Sequence, residues 1–132
     1  MSDLPPPLAL SMILCDAIWV DPATGKQTIL GVFTELGARE FPAIHPLLAV
    51  SVCLTDAHGT IPVRLQLVDA DEEEAPLFVS EANYEFPDRR AIINLVLHLT
   101  GLVFPCAGEY RFQLFANNEF VIERRLLLRQ VD

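Results

Sequence analysis

Lysine is almost absent from this chain. Of nine basic residues among 132, only Lys26 is a lysine, against 18 Asp and Glu, for a formal net charge of −9. A field of that sign repels phosphate backbones and anionic lipid headgroups, which argues against nucleic-acid and membrane-surface roles. No apolar run approaches the roughly 18 residues of a membrane-spanning helix. Leu8 to Cys15 is apolar but does not read as a secretory signal: Asp3 and three prolines precede it, no Lys or Arg makes an n-region, and Leu14 stands where a small residue would precede cleavage. Cysteines number three, with Cys15 and Cys53 in apolar runs and Cys106 in a loop. They read as reduced thiols in a cytosolic protein, not as a disulfide framework.

The sequence also lacks the motifs that carry common chemistries. There is no Gly-x-x-x-x-Gly-Lys loop, no dinucleotide fingerprint and no Gly-x-Ser-x-Gly elbow. His45, His58 and His98 show neither the i, i+4 pairing nor the short spacing of a zinc site. The single tryptophan, Trp19, lies in an apolar strand and is expected in the core as a structural residue, which leaves little for stacking on a sugar.

What is present is β periodicity. Tyr110 to Ala116 and Glu119 to Arg129 alternate with period two across the break Asn117-Asn118, which predicts a hairpin. Ile93, Leu95, Leu97 and Leu99 alternate with Asn94 and His98, and Val63, Leu65 and Leu67 with Arg64 and Gln66. Strands are predicted at 8–20, 27–36, 47–55, around 63–67, 77–86, 91–100, 110–116 and 119–129. A bend or bulge is expected near Asp16, and residues 37–46 are expected to cross between sheets. Residues 1–7 read as an extended, proline-rich leader before one domain at 8–132, since 132 residues leave no room for a second. The fold expected is all-β: a two-sheet antiparallel β-sandwich of about eight strands, immunoglobulin-like or C2-like.

If each strand crosses the sandwich once, loops alternate between two ends. One end gathers Asp21, Asp56, His58, Asp88, Asn117 and Asn118, and the other gathers Arg39, Glu40, His45, the run 69–74 and Cys106. Asp69, Asp71, Glu72, Glu73 and Glu74, with Glu40 and Glu109 to complete the shell, could offer oxygens to calcium, although the run lacks the glycine-pinned spacing of an EF-hand. A solvated charged hairpin is the competing reading. Cys106 and His45 could share an end, which is the only hint of a hydrolase-type nucleophile and base.

Three patterns carry a resemblance. They are Cys15-Asp16 with Val20-Asp21, Thr24-Gly25-Lys26 and 29–33; Phe41-Pro42-Ala43-Ile44-His45-Pro46; and Phe104-Pro105 with Gly108-Glu109-Tyr110-Arg111-Phe112. Together they resemble a bacterial family known as a domain of unknown function with a predicted β-sandwich. The last is also similar to the Gly-x-Tyr segment of immunoglobulin-like domains, which implies structural roles for Gly108 and Tyr110, the tyrosine bonding back across a corner. No cysteine follows two residues after Tyr110, so no inter-sheet disulfide is implied.

The apolar fraction of 52%, without a catalytic grouping, leads to the expectation of a non-enzymatic interaction or accessory module, self-associating as a homodimer through an edge strand or an apolar sheet face. No cofactor is expected. The last strand, with Val121, Glu123, Arg125 and Leu127, is the expected docking edge. The alternatives are a calcium- or small-ligand-binding sandwich using the acidic run and, third, a hydrolase.

Overall fold

The computed structural model describes residues 5–71 and 75–132, and none of them is helical. Nine strands form: β1 (Leu8–Val20), β2 (Gln27–Val32), β3 (Glu35–Ala38), β4 (Ala43–Thr55), β5 (Gly59–Asp69), β6 (Phe78–Phe86), β7 (Ile93–Phe104), β8 (Gly108–Ala116) and β9 (Glu119–Gln130). They make an antiparallel four-stranded sheet, β2-β1-β4-β7, and a mixed five-stranded sheet, β3-β9-β8-β5-β6. Alternating Leu, Val and Phe on both sheets feed one hydrophobic cluster, with Leu48, Val50, Val52 and Leu54 from the first sheet and Leu65, Leu67, Phe112 and Leu114 from the second. The face of each sheet that supplies this cluster is its inner face. Truncating one of these buried leucines to alanine costs about 2–5 kcal/mol.

The span predicted as one strand at 27–36 divides in two. β2 stays with β1, while β3 crosses to pair in parallel with β9, Glu35 opposite Leu127 through Ala38 opposite Gln130. The chain therefore crosses once at Phe33-Thr34 and crosses back within the expected stretch 37–46, since β3 ends at Ala38 in one sheet and β4 starts at Ala43 in the other. β4 starts at Ala43, directly after the cis peptide Phe41-Pro42, four residues earlier than alternation suggested. The β1–β4 register shifts at Leu10, between Ala9 and Ser11, while the irregularity expected near Asp16 takes the form of a change of facing.

Facing switches at two glycines. Met12 and Leu14 point into the main cluster, yet Ile18, of the same parity, packs with Cys15, Ala49, Ile29 and Val96 in a second cluster. The switch lies at Asp16, opposite Gly31 at φ 68°, where a Cβ would collide with the Asp16 carboxylate. On β7, Leu95 and Leu99 are buried at odd positions but Leu102 and Phe104 at even ones, with Gly101 at φ 65° between them. Positive φ is accessible to glycine without steric strain, so both switches fall where no side chain resists them.

Candidate functional site

The outer face of the four-stranded sheet follows from these switches. Its outward positions include Ser11, Ile13, Cys15 and Ile18 on β1; Gln27 and Ile29 on β2; Ile44, Leu47, Ala49, Ser51 and Cys53 on β4; and Asn94, Val96, His98, Thr100 and Val103 on β7. None is Asp, Glu, Lys or Arg. The middle of the face is closed: Cys15 and Ala49 are fully buried, and the Ser51 hydroxyl donates to Gln27 Oε1 at 3.4 Å. Burial pushes the Cys15 and Cys53 thiols above the usual thiol range, which keeps both protonated and unreactive at neutral pH. Toward the Phe104 end the face opens, with Ile44 71% and its cross-strand partner Val103 47% exposed.

The five-stranded sheet turns out the opposite chemistry. Arg111 lies between Glu109 at 2.9 Å and Glu123 at 3.3 Å, and Arg125 reaches Glu109 at 3.0 Å. Gln66 donates to Gln113 at 2.9 Å, and Gln113 to Glu123 at 3.1 Å, so the row continues across three strands. Arg64 stacks 4.5 Å above the Phe115 ring and donates to Asn118 Oδ1 at 3.1 Å, beside a shallow hollow of about 210 Å³ that Pro62 and Glu81 complete. The guanidinium is already stacked and hydrogen-bonded from within the chain, so the hollow presents no convergent, unpartnered polar group.

The family model of DUF6941, a family of unknown function, matches residues 10–129. The chain belongs to DUF6941. No curated protein matches it. The match takes in all three local patterns quoted from the sequence, and it includes both facing switches.

In this DUF6941 chain the Tyr110 side chain is fully buried. Its hydroxyl donates to the Cys106 carbonyl at 2.6 Å and accepts from the Cys106 N–H at 3.2 Å. Burial is the main reason its pKa is pushed up to about 12. Gly108 opens β8 at φ 147°. Trp19, expected in the core, is 56% exposed. Beyond the Asp16–Gly31 switch β1 pairs only with β2, because its ladder with β4 ends at Cys15 opposite Ala49, so no third strand stands beside Trp19.

Of the expected docking edge, Leu127 has β8 on one side and β3 on the other, whereas Val121, Glu123 and Arg125 precede the stretch that β3 pairs, Leu127–Gln130. Glu123 and Arg125 are engaged by β8 side chains, and Val121 packs against the main cluster. Arg124, facing opposite to Arg125, donates to the Met12 carbonyl at 2.9 Å and ties β9 to β1 across the two sheets.

Of the acidic run, Glu72, Glu73 and Glu74 lie outside the described residues. Asp69 accepts from the Asp71 N–H at 3.0 Å, and its other oxygen is 4.0 Å from Cys106 Sγ, so the predicted grouping of that loop with Cys106 is present. No group of three His, Cys, Asp or Glu among the described residues is placed to hold a metal ion. His45 packs edge-on to Phe33, ring centroids 6.4 Å apart, and its Nε2 is buried without a hydrogen-bond partner. No hydrogen bond among the described residues joins it to Cys106. At the other end, the Asp56 N–H donates to the Arg89 carbonyl, which brings that loop beside Asp88. No described helix is long and apolar enough to cross a membrane.

Sequence reasoning missed the uncharged face, although a signal was there. Residues 91–108 and 41–55 contain no Asp, Glu, Lys or Arg. Read strand by strand, these stretches look like ordinary core. Only the sheet order shows that β4 and β7 lie side by side.

Proposed function

We propose that this chain is a non-enzymatic interaction module, a two-sheet sandwich of the immunoglobulin-like type, that self-associates through the four-stranded sheet. The observation that carries the reading is that β1, β2, β4 and β7 hold one formally charged side chain, Asp16 at the facing switch, in a protein of net charge −9. Solvent-facing sheet surfaces ordinarily carry charge, and an uncharged apolar patch marks a surface that another protein covers. The exposed pair Ile44 and Val103 lies on it. The Tyr110 hydroxyl, bonded to both backbone groups of Cys106 four residues upstream, supports the immunoglobulin-like type through its likeness to a tyrosine corner. Three free thiols accord with a reducing, cytoplasmic setting.

Light scattering behind size-exclusion chromatography tests this, over a concentration series with and without millimolar calcium. The expected result is a dimer forming as concentration rises, indifferent to calcium. A monomer at high micromolar concentration contradicts self-association, and a mass or stability that responds to calcium moves the functional site to the acidic loop.

A further inference from the structure

We infer that the free edge of β7 is where a second copy of this chain pairs, antiparallel across a twofold axis, so that two four-stranded sheets become one continuous sheet. This rests on the reading of the chain as a self-associating module and adds where the copies meet.

An unpaired strand edge presents alternating N–H and C=O groups to any passing strand, and native proteins blunt such edges with charge, shortness, irregularity or a cover. Each of the other edges carries one of these devices, including the stretch of β9 that β3 leaves open, which holds Glu119, Glu123, Arg124 and Arg125, and the start of β4 that β1 leaves open, which holds Pro46. β6 has Glu81 and Glu85 within nine residues, β3 is four residues long, and β2 is six with Gly31 at positive φ near its end. The half of β1 that β2 leaves open is covered, since the Phe33 N–H donates to the Leu14 carbonyl at 3.0 Å and Arg124 to the Met12 carbonyl.

β7 has none. It runs twelve residues, Ile93–Phe104, without charge or proline. Among the described residues no loop backbone and no side chain donates to, or accepts from, its open side. Its one irregularity, Gly101, leaves Ile93 to Thr100 as regular strand.

Given that the occupant is a second copy, charge selects where it meets the first. Two copies at −9 each repel wherever their acidic surfaces meet, so they can approach closely only along a side that neither charges. β7 and the outer face beside it form that side. Antiparallel self-pairing is isologous: the same edge serves both copies, the exposed backbone groups of each are satisfied at once, and no open end is left to grow into a fibre. It also sets the two uncharged outer faces next to each other.

The test reads mass and backbone protection on one sample. Amide hydrogen exchange is followed by NMR across β7 in the full chain, at a dilute and a concentrated condition, alongside light scattering. In a monomer alternate β7 amides point at solvent and exchange fast; edge pairing slows that set by at least about tenfold on concentration. A mixture of labelled and unlabelled chain should then give intermolecular Hα–Hα contacts between β7 residues. Thr100→Lys, at an exposed position, should keep the melting temperature and return both mass and exchange to the monomer values. A dimer whose alternate β7 amides stay fast overturns the edge inference while leaving the module reading intact. A monomer at every concentration overturns both.

Discussion

On the outer face of the five-stranded sheet, Arg111, Arg125, Glu109 and Glu123 hold one another within hydrogen-bonding distance, and Gln66 and Gln113 extend the row. On the outer face of the four-stranded sheet, the outward positions hold residues such as Ile44, Cys53, Val96 and Val103. The division runs through whole strands. β1, β2, β4 and β7 together contain one formally charged side chain, Asp16, whereas the other five strands carry Glu35, Arg64, Asp69, Glu81, Glu85, Glu109, Arg111, Glu119, Glu123, Arg124, Arg125 and Arg129. Exposed ion pairs add little to folding stability, so the charged face is accounted for by solubility and by keeping strands from pairing wrongly. An uncharged face in water needs another reason, and a partner that meets the chain along that side supplies one.

Placing a charge where the uncharged face is closed should give the largest effect. Ala49→Asp puts a carboxylate at a fully buried outward position with no cation near it on that sheet. A loss of about 3–5 kcal/mol is expected in urea unfolding, the cost of an uncompensated buried charge. A loss below 1 kcal/mol would mean that the face hydrates readily.

Gly31→Ala tests the switch that creates the second cluster. Holding a non-glycine residue at φ 68° costs about 1–2 kcal/mol, and the new Cβ also meets the Asp16 carboxylate. In the double variant with Asp16→Ala the collision is relieved and the backbone strain stays, so partial recovery is expected in thermal melts.

Tyr110→Phe removes a hydroxyl that serves both backbone groups of Cys106, for an expected loss of about 1–2 kcal/mol. The variant should also lose a pH dependence. In the folded chain the hydroxyl titrates only at about 12, against about 10 when unfolded, so the neutral form favours folding. That stabilisation is complete below about pH 10 and disappears as pH rises from there to about 12. Melting temperatures across this window should fall more steeply for the wild type than for the phenylalanine variant.

On the charged face, Arg125→Ala removes an exposed ion pair with Glu109 and should cost less than about 1 kcal/mol, shrinking further in molar salt. Together with Ala49→Asp it brackets the contrast between the two faces.

Much of the fold was legible in the sequence, because alternation reports whichever face meets the core. The hairpin at Asn117-Asn118 is the β8–β9 turn, with both asparagines at positive φ. β3 was not legible: four residues, Glu35–Ala38, are too few to show a period, and their partner, β9, lies almost a hundred positions away. Trp19 was misplaced because an apolar strand was taken for a covered one, and nothing in the sequence shows that the ladder with β4 stops at Cys15 and leaves Trp19 beside β2 alone. β9 was read as an edge along its whole length because β3, too short to be read, pairs with its last residues, Leu127–Gln130. The candidate surface escaped for a related reason. Its residues come from four strands whose adjacency is a property of sheet order, and an outward valine is indistinguishable from an inward one until the switches are located.

The most direct measurement compares two double variants by light scattering at matched high concentration: Ile44→Glu with Val103→Glu on the uncharged face, and Arg125→Ala with Glu123→Ala on the charged one. All four positions are at least partly exposed, so each variant should melt within a few degrees of the wild type. The account predicts that the first pair abolishes the dimer and the second leaves it unchanged. The reverse pattern, or a wild type that never associates, would contradict the assignment of the four-stranded sheet as the contact surface.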